Sequence, residues 1–394
     1  MVDSALLFHG LTASLGSAPH WLTMNPRNPE PVIYPEVPLK EFGLWELAES
    51  CAVAIPNCAP LVSDEFSPDP NVVFQFLATH CPSALYLHYY VPFWYPMMVA
   101  CRRLGAPFGL HVQVFYHRGD RSRPQLPFHF ERDSQAVTAV KDADFLTVSQ
   151  QDDASLLSEH MHVDPSRIHV LPKGVPRGTW LEAATQSDRE ALRRRMPEVR
   201  ADLPVFLYVG RFEETKNITW FLTNVMPLLD DQADEFQLLL IGWGSQINVV
   251  KRLAGRLGNV TAIEDRLDYR SALRLVADSD VVLFPSGYDF APRLPLEAIL
   301  LRRHLILGDF NFNSVYRGYA TMVRPQREEN ATLEYSGELV TYGVPDAVEM
   351  ANACRTAIGC WRHAVLPSSS KFSTSERLDN GRTAAEVVLS AFGF

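Results

Sequence analysis

The chain has neither the excess positive charge nor the long apolar runs that mark two large classes of protein. Its 36 Lys and Arg residues are outnumbered by 46 Asp and Glu residues, which gives a formal net charge of -10. An acidic protein is not drawn non-specifically to nucleic acid or to an anionic membrane surface. No apolar run reaches the roughly 20 residues that cross a bilayer. We therefore expect no nucleic-acid partner and no stable membrane insertion.

Cysteine is also scarce, and the sequence shows no sign of an export signal. The six cysteines have no paired metal-binding spacing and lie mostly in apolar contexts, which predicts buried, reduced thiols rather than disulfides or a metal site. An acid, Asp3, stands where a signal peptide would be basic, and the apolar run after it is only a few residues long. The expected location is cytoplasmic.

Strand-like and helix-like segments alternate through both halves of the sequence. With 394 residues the chain is too long for one ordinary core, so two domains are expected. Alternating βα patterns are typical of parallel sheets in α/β proteins. In the first half, strands are predicted at 5–8, 52–55, 84–88, 108–116 and 145–149, with a helix at 93–104. In the second half, strands are predicted to begin at Val205, Phe236, Val260, Val281 and Leu305.

A cluster of helix and strand breakers indicates the domain boundary. Pro172, Gly174, Pro176 and Gly178 lie within the segment 171–183, between two periodic regions. The predicted domains are therefore an N-terminal domain at 1–175 and a C-terminal domain at 176–366. The last segment, 367–394, is predicted to hold a polar linker and a closing helix at 375–392.

Two carboxylates flank a turn that follows a predicted buried strand. The strand at 281–284 ends at Pro285, and Asp289 and Glu297 follow with seven residues between them. Ligands of open α/β sheets bind at such strand-to-helix turns, and free N–H groups at a helix start can face a phosphate. In this interpretation Asp289 binds sugar hydroxyls from the loop, and Glu297, in the first helical turn, binds a ribose. The alternative is an acid that only complements the helix dipole.

Two cations follow the strand that begins at Val205. Gly210 and Arg211 end this strand, and Lys216 lies five residues further on. On its own this pattern fits a solvated basic loop. Together with the acidic turn, two βα units later, it indicates a site for a diphosphate-linked ligand.

These segments, in this order, resemble family 4 of the retaining glycosyltransferases. The resemblance runs from Phe145 to Asp309 and includes the segments around Arg211, Gly242 and Asp280 as well as the acidic turn. It implies the GT-B fold, in which two Rossmann-like domains face each other across a cleft and a C-terminal helix crosses back to the first domain. It also implies a nucleoside diphosphate sugar, for which we expect a UDP-sugar, as co-substrate, with no metal and no other cofactor. In this arrangement the N-terminal domain binds the acceptor and the C-terminal domain binds the donor.

The resemblance assigns roles to individual residues. Arg211 and Lys216 would neutralise the donor diphosphate, Asp289 would stand in for the first Glu of the family motif, and Glu297 would bind the ribose. The donor site implied in this way also includes Gly16, Gly210, Arg266, Leu267, Ala291, Arg293 and Leu294.

The family places a histidine near the sugar, at the end of the fourth strand. His111 and His117 are rivals for this role. We favour His111, because it follows Ala106 and Pro107 at nearly the distance that the family uses. A hydrogen-bonded core histidine is the alternative.

The predicted acceptor residues follow two strands of the first half. They are Tyr89, Trp94, Arg118 and Arg121. Aromatic faces stack on sugar rings, and arginines bind carboxylates or phosphates in bidentate fashion. Helix-packing aromatics and a solvated basic loop are the alternatives. A small molecule, a saccharide or a protein remains open as the acceptor.

Several residues depart from the family pattern. The glycines of the first loop, Gly10 and Gly16, are not adjacent, and Pro292 removes a backbone donor next to the sugar. Arg293 could replace that donor or select a sugar that bears a carboxylate. These departures keep open a non-catalytic relative that binds nucleotide sugars. A sugar-nucleotide epimerase is less well supported, because it would lack the series of basic and acidic motifs.

Overall fold

The computed structural model describes most of the chain as two α/β units. It describes residues 21–23, 52–54, 70–80, 82–88, 94–112, 134–185, 199–289, 292–326, 331–335, 338–365, 367 and 381–392. The first unit contains the described residues up to Pro176 together with 381–392, and the second contains those from Arg177 to Pro367. Outside the described residues lie the predicted strand at 5–8 and the predicted site residues Gly16, Tyr89, His117, Arg118, Arg121 and Ala291.

The first unit is organised around a parallel sheet of four strands in the order β3-β4-β5-β6. A separate pair of short parallel strands precedes it. The elements are β1 (Trp21–Thr23), β2 (Ala52–Ala54), α1 (Pro70–His80), β3 (Leu85–His88), α2 (Trp94–Leu104), β4 (Phe108–His111), α3 (Ser134–Asp142), β5 (Phe145–Val148), α4 (Gln151–Met161) and β6 (Ile168–Val170). Every residue of β4 and β5 is buried, as expected of central strands covered on both faces.

The second unit contains a parallel sheet of six strands in the order β12-β11-β10-β7-β8-β9. Its elements are α5 (Arg177–Thr185), β7 (Val205–Arg211), β8 (Gln237–Trp243), α6 (Ile247–Ala254), β9 (Val260–Glu264), α7 (Tyr269–Asp278), β10 (Val281–Phe284), α8 (Arg293–Leu300), β11 (His304–Gly308), β12 (Thr321–Val323), β13 (Ala331–Tyr335), β14 (Glu338–Tyr342) and α9 (Ala347–Arg362). Strands β13 and β14 form an antiparallel hairpin between β12 and α9.

The strand order of the second unit places β7 and β10 side by side, although two βα units separate them in the chain. From β7 the chain proceeds through β8 and β9 towards one edge, and from β10 through β11 and β12 towards the other. The sheet therefore reverses direction between β7 and β10. In open α/β sheets, ligands bind outside the carboxyl ends of the strands at such a reversal.

Close contact between β7 and β8 depends on a glycine. Gly242 pairs with Gly210 in the register of the two strands, and a Cβ atom at Gly242 would lie 1.7 Å from the carbonyl oxygen of Gly210. No side chain fits there, so the two strand ends can approach each other only with glycine at this position.

The last described helix, α10 (Gly381–Phe392), belongs to the core of the first unit. Its Ala385 and Val388 are buried. The ring of Phe392 packs edge-on against Phe145 of β5, with 4.7 Å between the ring centroids. The end of the sequence thus completes the core of the unit that begins the sequence.

The predicted fold class is confirmed: the chain is an α/β protein with two parallel Rossmann-like sheets. Helix α8 begins at Arg293 rather than at Leu294, so Glu297 lies in the second helical turn. Its predicted place in the first turn is wrong. Neither β12 nor the β13–β14 hairpin was predicted from the sequence. Within the described residues, no helix is long and apolar enough to cross a membrane.

Candidate active site

The loops that follow β7 and β10 bring one predicted cation and one predicted carboxylate into contact. Lys216 ends a short 3-10 turn, Glu214–Lys216, after β7. Its Nζ donates hydrogen bonds to the Asp289 carboxylate oxygen Oδ2 and to the Tyr288 carbonyl oxygen, both at 2.8 Å. An ammonium group has three N–H donors, so Lys216 can hold these two oxygens and still bind an anion.

This ion pair is partly withdrawn from water. The side chain of Lys216 is 8% exposed and that of Asp289 is 25% exposed. Charges at such a site interact more strongly than on the surface, because the effective dielectric constant is lower. A ligand phosphate beside Lys216 would therefore feel both the attraction of Lys216 and the repulsion of Asp289 more strongly than on the surface.

A backbone hydrogen bond joins the same two loops, and a side-chain bond braces the loop after β10. The Gly287 N–H donates to the Thr215 carbonyl oxygen at 2.9 Å, and the Ser286 hydroxyl donates to the Tyr288 carbonyl oxygen at 3.0 Å. These bonds hold the two loops together next to Lys216 and Asp289.

Arg211, the second predicted cation, is the exposed last residue of β7. Its carbonyl oxygen accepts a 2.7 Å hydrogen bond from the buried Tyr208 hydroxyl. The pKa of Tyr208 is raised, mainly by burial and further by Asp289, whereas Arg211 acts in the opposite direction. Arg211 and Asp289 therefore act on the same hydroxyl, and the structure brings both to this end of β7.

Glu297 forms a second group, in α8. Its carboxyl is buried, and burial raises its pKa, while the positive charge of Arg293, one helical turn away, opposes the rise. Leu294 lies beside Arg293 in the first turn and is half-buried. Burial thus favours the neutral form of the Glu297 carboxyl, against the charge of Arg293.

A cavity of about 520 Å³ lies at the carboxyl ends of β8 and β9. It is lined by Glu213, Trp243, Gly244, Ser245, Glu264, Asp265 and Arg266. The guanidinium carbon of Arg266 lies 4.0 Å from the centroid of the Trp243 ring, and Trp243 is 36% exposed. Glu213 lines this cavity and lies three residues before Lys216, so the cavity adjoins the loop that carries Lys216.

Neither Trp243 nor Glu213 was predicted from the sequence as a site residue. Trp243 follows a strand and lies between two glycines, and a large exposed aromatic residue at a strand end is a signal that could have been used. Glu213 offered no comparable signal. Its place is fixed by Ser245, whose hydroxyl donates to the Glu213 carboxylate at 2.6 Å across 32 residues of sequence.

His111 lies in the first unit, at the end of β4, and is 3% exposed. Its Nδ1 lies 2.9 Å from the Thr147 hydroxyl and its Nε2 lies 3.4 Å from the Ser149 hydroxyl. The Tyr86 hydroxyl contacts Thr147 in turn, at 2.5 Å. The imidazole is therefore held in a chain of buried polar side chains. Trp94, the other described candidate of this unit, is buried at 2% exposure at the start of α2.

The described residues include three free cysteines. Cys101 and Cys354 are free and buried, and burial raises the pKa of each thiol to about 12. Cys360 is free and half-buried. Among the residues that the structure describes, no three His, Cys, Asp or Glu side chains group as metal ligands would.

Part of the second unit matches a known protein family. Residues 203–341 match the family model described as glycosyl transferases group 1. The chain is 31% identical, over 194 residues, to a D-inositol 3-phosphate glycosyltransferase of Geodermatophilus obscurus. That alignment covers 46% of this chain and 40% of the relative. The chain is also 22% identical to a UDP-Gal:alpha-D-GlcNAc-diphosphoundecaprenol alpha-1,3-galactosyltransferase of Escherichia coli, and this second alignment covers 55% of each chain. The chain thus spans about half the length of these curated relatives.

Similar solved structures extend over nearly the whole chain. The structure of Anabaena Alr3699/HepE in complex with UDP has a TM-score of 0.67 and 14% identity, and the match covers 100% of this chain and 96% of that one. A glycosyltransferase from Rickettsia africae has a TM-score of 0.62 and 14% identity, with 99% and 91% coverage. At this identity the likeness establishes the fold. Residues 203–341 therefore match the group 1 glycosyltransferases in sequence, and the two α/β units match a solved glycosyltransferase structure in fold.

Proposed function

We propose that the chain is a retaining glycosyltransferase, which moves a sugar from a nucleoside diphosphate sugar to an acceptor hydroxyl. The observation that carries this proposal is the contact between Lys216 and Asp289 at the point where the sheet reverses direction. One charge suits a diphosphate and the other suits sugar hydroxyls, and both lie where an α/β sheet binds its ligand.

The nucleoside portion of the donor fits the cavity beside this pair. The Trp243 ring and the Arg266 guanidinium offer flat faces on which a base can stack. Glu297 supplies the carboxyl that binds the ribose hydroxyls. Because the structural relative from Anabaena was solved with UDP, we propose uridine as the nucleoside.

In the proposed reaction, Lys216 and Arg211 stabilise the negative charge that grows on the diphosphate as its bond to the sugar breaks. Asp289 holds the sugar, which passes through an oxocarbenium-like state. The acceptor hydroxyl attacks from the face that the diphosphate leaves and gives its proton to an oxygen of the departing diphosphate, and the configuration at the sugar carbon is retained. Lys216 and Arg211 neutralise the charge of the leaving diphosphate, so the proposed reaction requires no metal ion.

The reaction needs a second substrate as well as the nucleotide sugar. A small molecule, a saccharide or a protein would serve as the acceptor, because the proposed step requires only a hydroxyl. His111 of the first unit and the arginines predicted after β4 remain proposals for the sugar and acceptor contacts. The activated sugars that such enzymes use are cytosolic, and we propose that the protein works there.

A donor panel tests the proposal. UDP-, GDP- and ADP-linked sugars would be compared by thermal shift, because a ligand that binds only the folded state raises the unfolding midpoint. Release of the nucleotide, with and without acceptors, would then be measured by chromatography. We expect UDP-sugars to raise the midpoint and to be consumed. A panel with no shift and no consumption would contradict the proposal.

The same panel distinguishes the non-catalytic alternative, which Pro292 favours. This residue is the N-cap of α8 and has no N–H to offer a phosphate. A donor that raises the midpoint but is neither hydrolysed nor transferred would identify the chain as a binding module.

A further inference from the structure

We propose that Asn217 is the positioning residue of the site: its side-chain amide binds two other segments of the second unit and thereby holds Lys216 against Asp289. The role assigned to Lys216 depends on the function proposed above. The structural part of the inference does not, because it concerns only where Asn217 holds its neighbour.

The backbone of Asn217 sets the direction of the chain directly after Lys216. Its φ of 56° and ψ of 22° lie in the left-handed region, which few residues other than glycine and asparagine adopt readily. Its N–H donates to the Glu214 carbonyl oxygen at 3.0 Å and closes the 3-10 turn, and its carbonyl oxygen accepts from the Phe221 N–H at 2.9 Å. Asn217 therefore joins the turn that carries Lys216 to the helical segment that follows.

The side chain of Asn217 makes two further contacts, both over long sequence distances. Its Nδ2 donates to the Pro285 carbonyl oxygen at 3.0 Å and to the Gly343 carbonyl oxygen at 2.8 Å. The residue is 2% exposed, so water could not readily replace either bond. An amide group has two N–H donors, and the two contacts match them. Without the amide, two buried carbonyl groups would lose a partner, which is costly.

These contacts involve the segment that also carries Asp289. Pro285 begins the loop after β10, and Tyr288 and Asp289 of that loop bind the Lys216 ammonium. Gly343 follows the β13–β14 hairpin, and its N–H donates to the Gly287 carbonyl oxygen at 3.0 Å. The Asn217 side chain thus fastens the Lys216 turn to both neighbouring segments. It does so beside the Gly287–Thr215 backbone bond and a 3.2 Å bond from the Tyr342 hydroxyl to the Glu214 carboxylate.

The packing between these segments leaves little room for adjustment. A Cβ atom at Gly287 would lie 1.7 Å from the Gly343 carbonyl oxygen. The loop after β10 and the end of the hairpin are therefore in backbone contact, and the Asn217 amide reaches both. A shift of the Lys216 turn would separate its ammonium from Tyr288 and Asp289 together.

Two substitutions separate the amide from the backbone conformation. Asn217→Asp keeps the size of the side chain but replaces the two donors by an acceptor. Asn217→Gly keeps the left-handed backbone, which glycine adopts at no cost, and removes the amide. Because glycine suits this φ, the second variant is expected to fold even if the first does not. Asn224→Asp is the matched control, since the amide of this exposed asparagine bonds only locally, to Trp220 and Thr223.

The first measurement is the rate at which an amine-reactive reagent labels Lys216, quantified by peptide mass spectrometry. Lys216 is 8% exposed and hydrogen-bonded, so it should react slowly in the unmodified protein. Lys251, whose side chain is 43% exposed, serves as the internal reference. We expect both Asn217 variants, but not Asn224→Asp, to raise the Lys216 rate relative to the Lys251 rate.

The second measurement is donor kinetics. A displaced Lys216 should lower kcat about 10- to 100-fold, as expected of a misplaced catalytic group, with the donor KM changed by less than about threefold. Equal labelling rates in Asn217→Gly and the unmodified protein would overturn the inference, and so would an unchanged kcat in an active enzyme. If the unmodified protein consumes no nucleotide sugar, the proposed function fails, while the labelling rates still decide the position of Lys216.

Discussion

At the scale of single residues, the ion pair between Lys216 and Asp289 is the feature on which the chemistry depends. Both partners are fixed by neighbours, and neither is fully buried. Truncation of one partner therefore costs less than in a sealed core, because the charge left behind can reach water. The pair can thus be tested by mutation without loss of the fold.

Lys216→Ala is predicted to abolish sugar transfer while the protein stays folded. Removal of the ammonium leaves the departing diphosphate without its buried cation, which should lower the transfer rate by at least about 100-fold. The free energy of unfolding should fall by less than the roughly 3–5 kcal/mol that breaking a fully buried pair costs, because the Asp289 side chain left behind is 25% exposed. Enzyme assays and denaturant titration of the same preparation provide the measurements.

Arg362→Ala is the control for this variant, because it removes another cation of the second unit, one that forms a 3.0 Å ion pair with Glu235. Transfer should stay near the original rate in this variant. A Lys216→Ala protein with near-normal turnover would show that Lys216 does not neutralise the leaving group.

Some residues of the site could be predicted from the sequence, and others could not. Lys216 and Asp289 stood out because each follows an apolar strand at a spacing typical of a βα unit. Asn217 did not, because its role depends on Gly343, which lies 126 residues away in the sequence. A side chain whose function is a long-range hydrogen bond leaves no local pattern. Trp243 did leave one, as an aromatic residue at a strand end.

At the scale of secondary structure, α4 begins with an unusual acid. Asp153 is the third residue of this helix and is 5% exposed. Burial raises its pKa from the ordinary 3.8 to about 8, with a further rise from Asp152, whereas Lys173 and the Gln150 N–H oppose it. The hydrogen bond to Gln150, the N-cap residue, is one half of a capping box. The helix start is therefore held by a carboxyl that is largely protonated at neutral pH.

This carboxyl predicts a pH dependence of stability with a definite sign. Between about pH 4 and pH 8 the unfolded chain has released the proton, while the folded chain retains it. The folded state therefore binds more protons than the unfolded state in this range. The contribution of Asp153 to the free energy of unfolding is highest at low pH and falls as the pH rises to about 8. Asparagine does not titrate, so Asp153→Asn should remove this pH dependence of stability. Asp153→Asn is expected to gain stability relative to the unmodified protein across this window, by up to about 1 kcal/mol per pH unit.

Urea midpoints measured at several pH values between about 5 and 9 would check this prediction. Glu159→Gln is the matched control, because its side chain is exposed in the same helix and is not among the charges that act on Asp153. If Asp153→Asn and the unmodified protein lost stability in parallel over the whole range, Asp153 would not be the group responsible.

Most strands could be predicted from apolar runs, and the exceptions have identifiable causes. The strands predicted at Val205, Val260 and Val281 begin at those residues. β7 and β10 are central parallel strands and are apolar on both faces, whereas β9 is an edge strand with an apolar start. β1 and β12 have three residues each, too few to show a pattern. The β13–β14 hairpin did carry a signal, since two β-prone runs flank the Ser336-Gly337 dipeptide, which is typical of a two-residue turn.

At the scale of the whole molecule, the first unit is completed by residues from the far end of the sequence. Phe392 of α10 packs on Phe145, and Phe145 stacks on Tyr86 of β3 with 5.9 Å between the ring centroids. Periodicity predicted a closing helix in this region, but the partner of that helix came only from the family resemblance. Contacts between distant segments depend on topology, which a local pattern does not contain.

Phe392→Ala is the prediction that belongs to this scale. The substitution removes an aromatic contact from the first unit and should lower its free energy of unfolding by about 1–3 kcal/mol. This is less than for a fully buried phenylalanine, because Phe392 stays partly exposed. Leu181→Ala, which truncates a side chain that is 51% exposed, should change stability by less than about 0.5 kcal/mol.

The donor response separates the two units in the same experiment. The residues proposed for donor binding around Lys216 lie in the second unit, whereas Phe392 belongs to the first. Calorimetry of Phe392→Ala should therefore show a lower unfolding temperature for the first unit and an undiminished rise with UDP, since UDP stabilises only the part that binds it. A variant that lost its response to UDP while its second unit still unfolded cooperatively would show that donor binding requires the first unit, and the site proposed around Lys216 would then be incomplete.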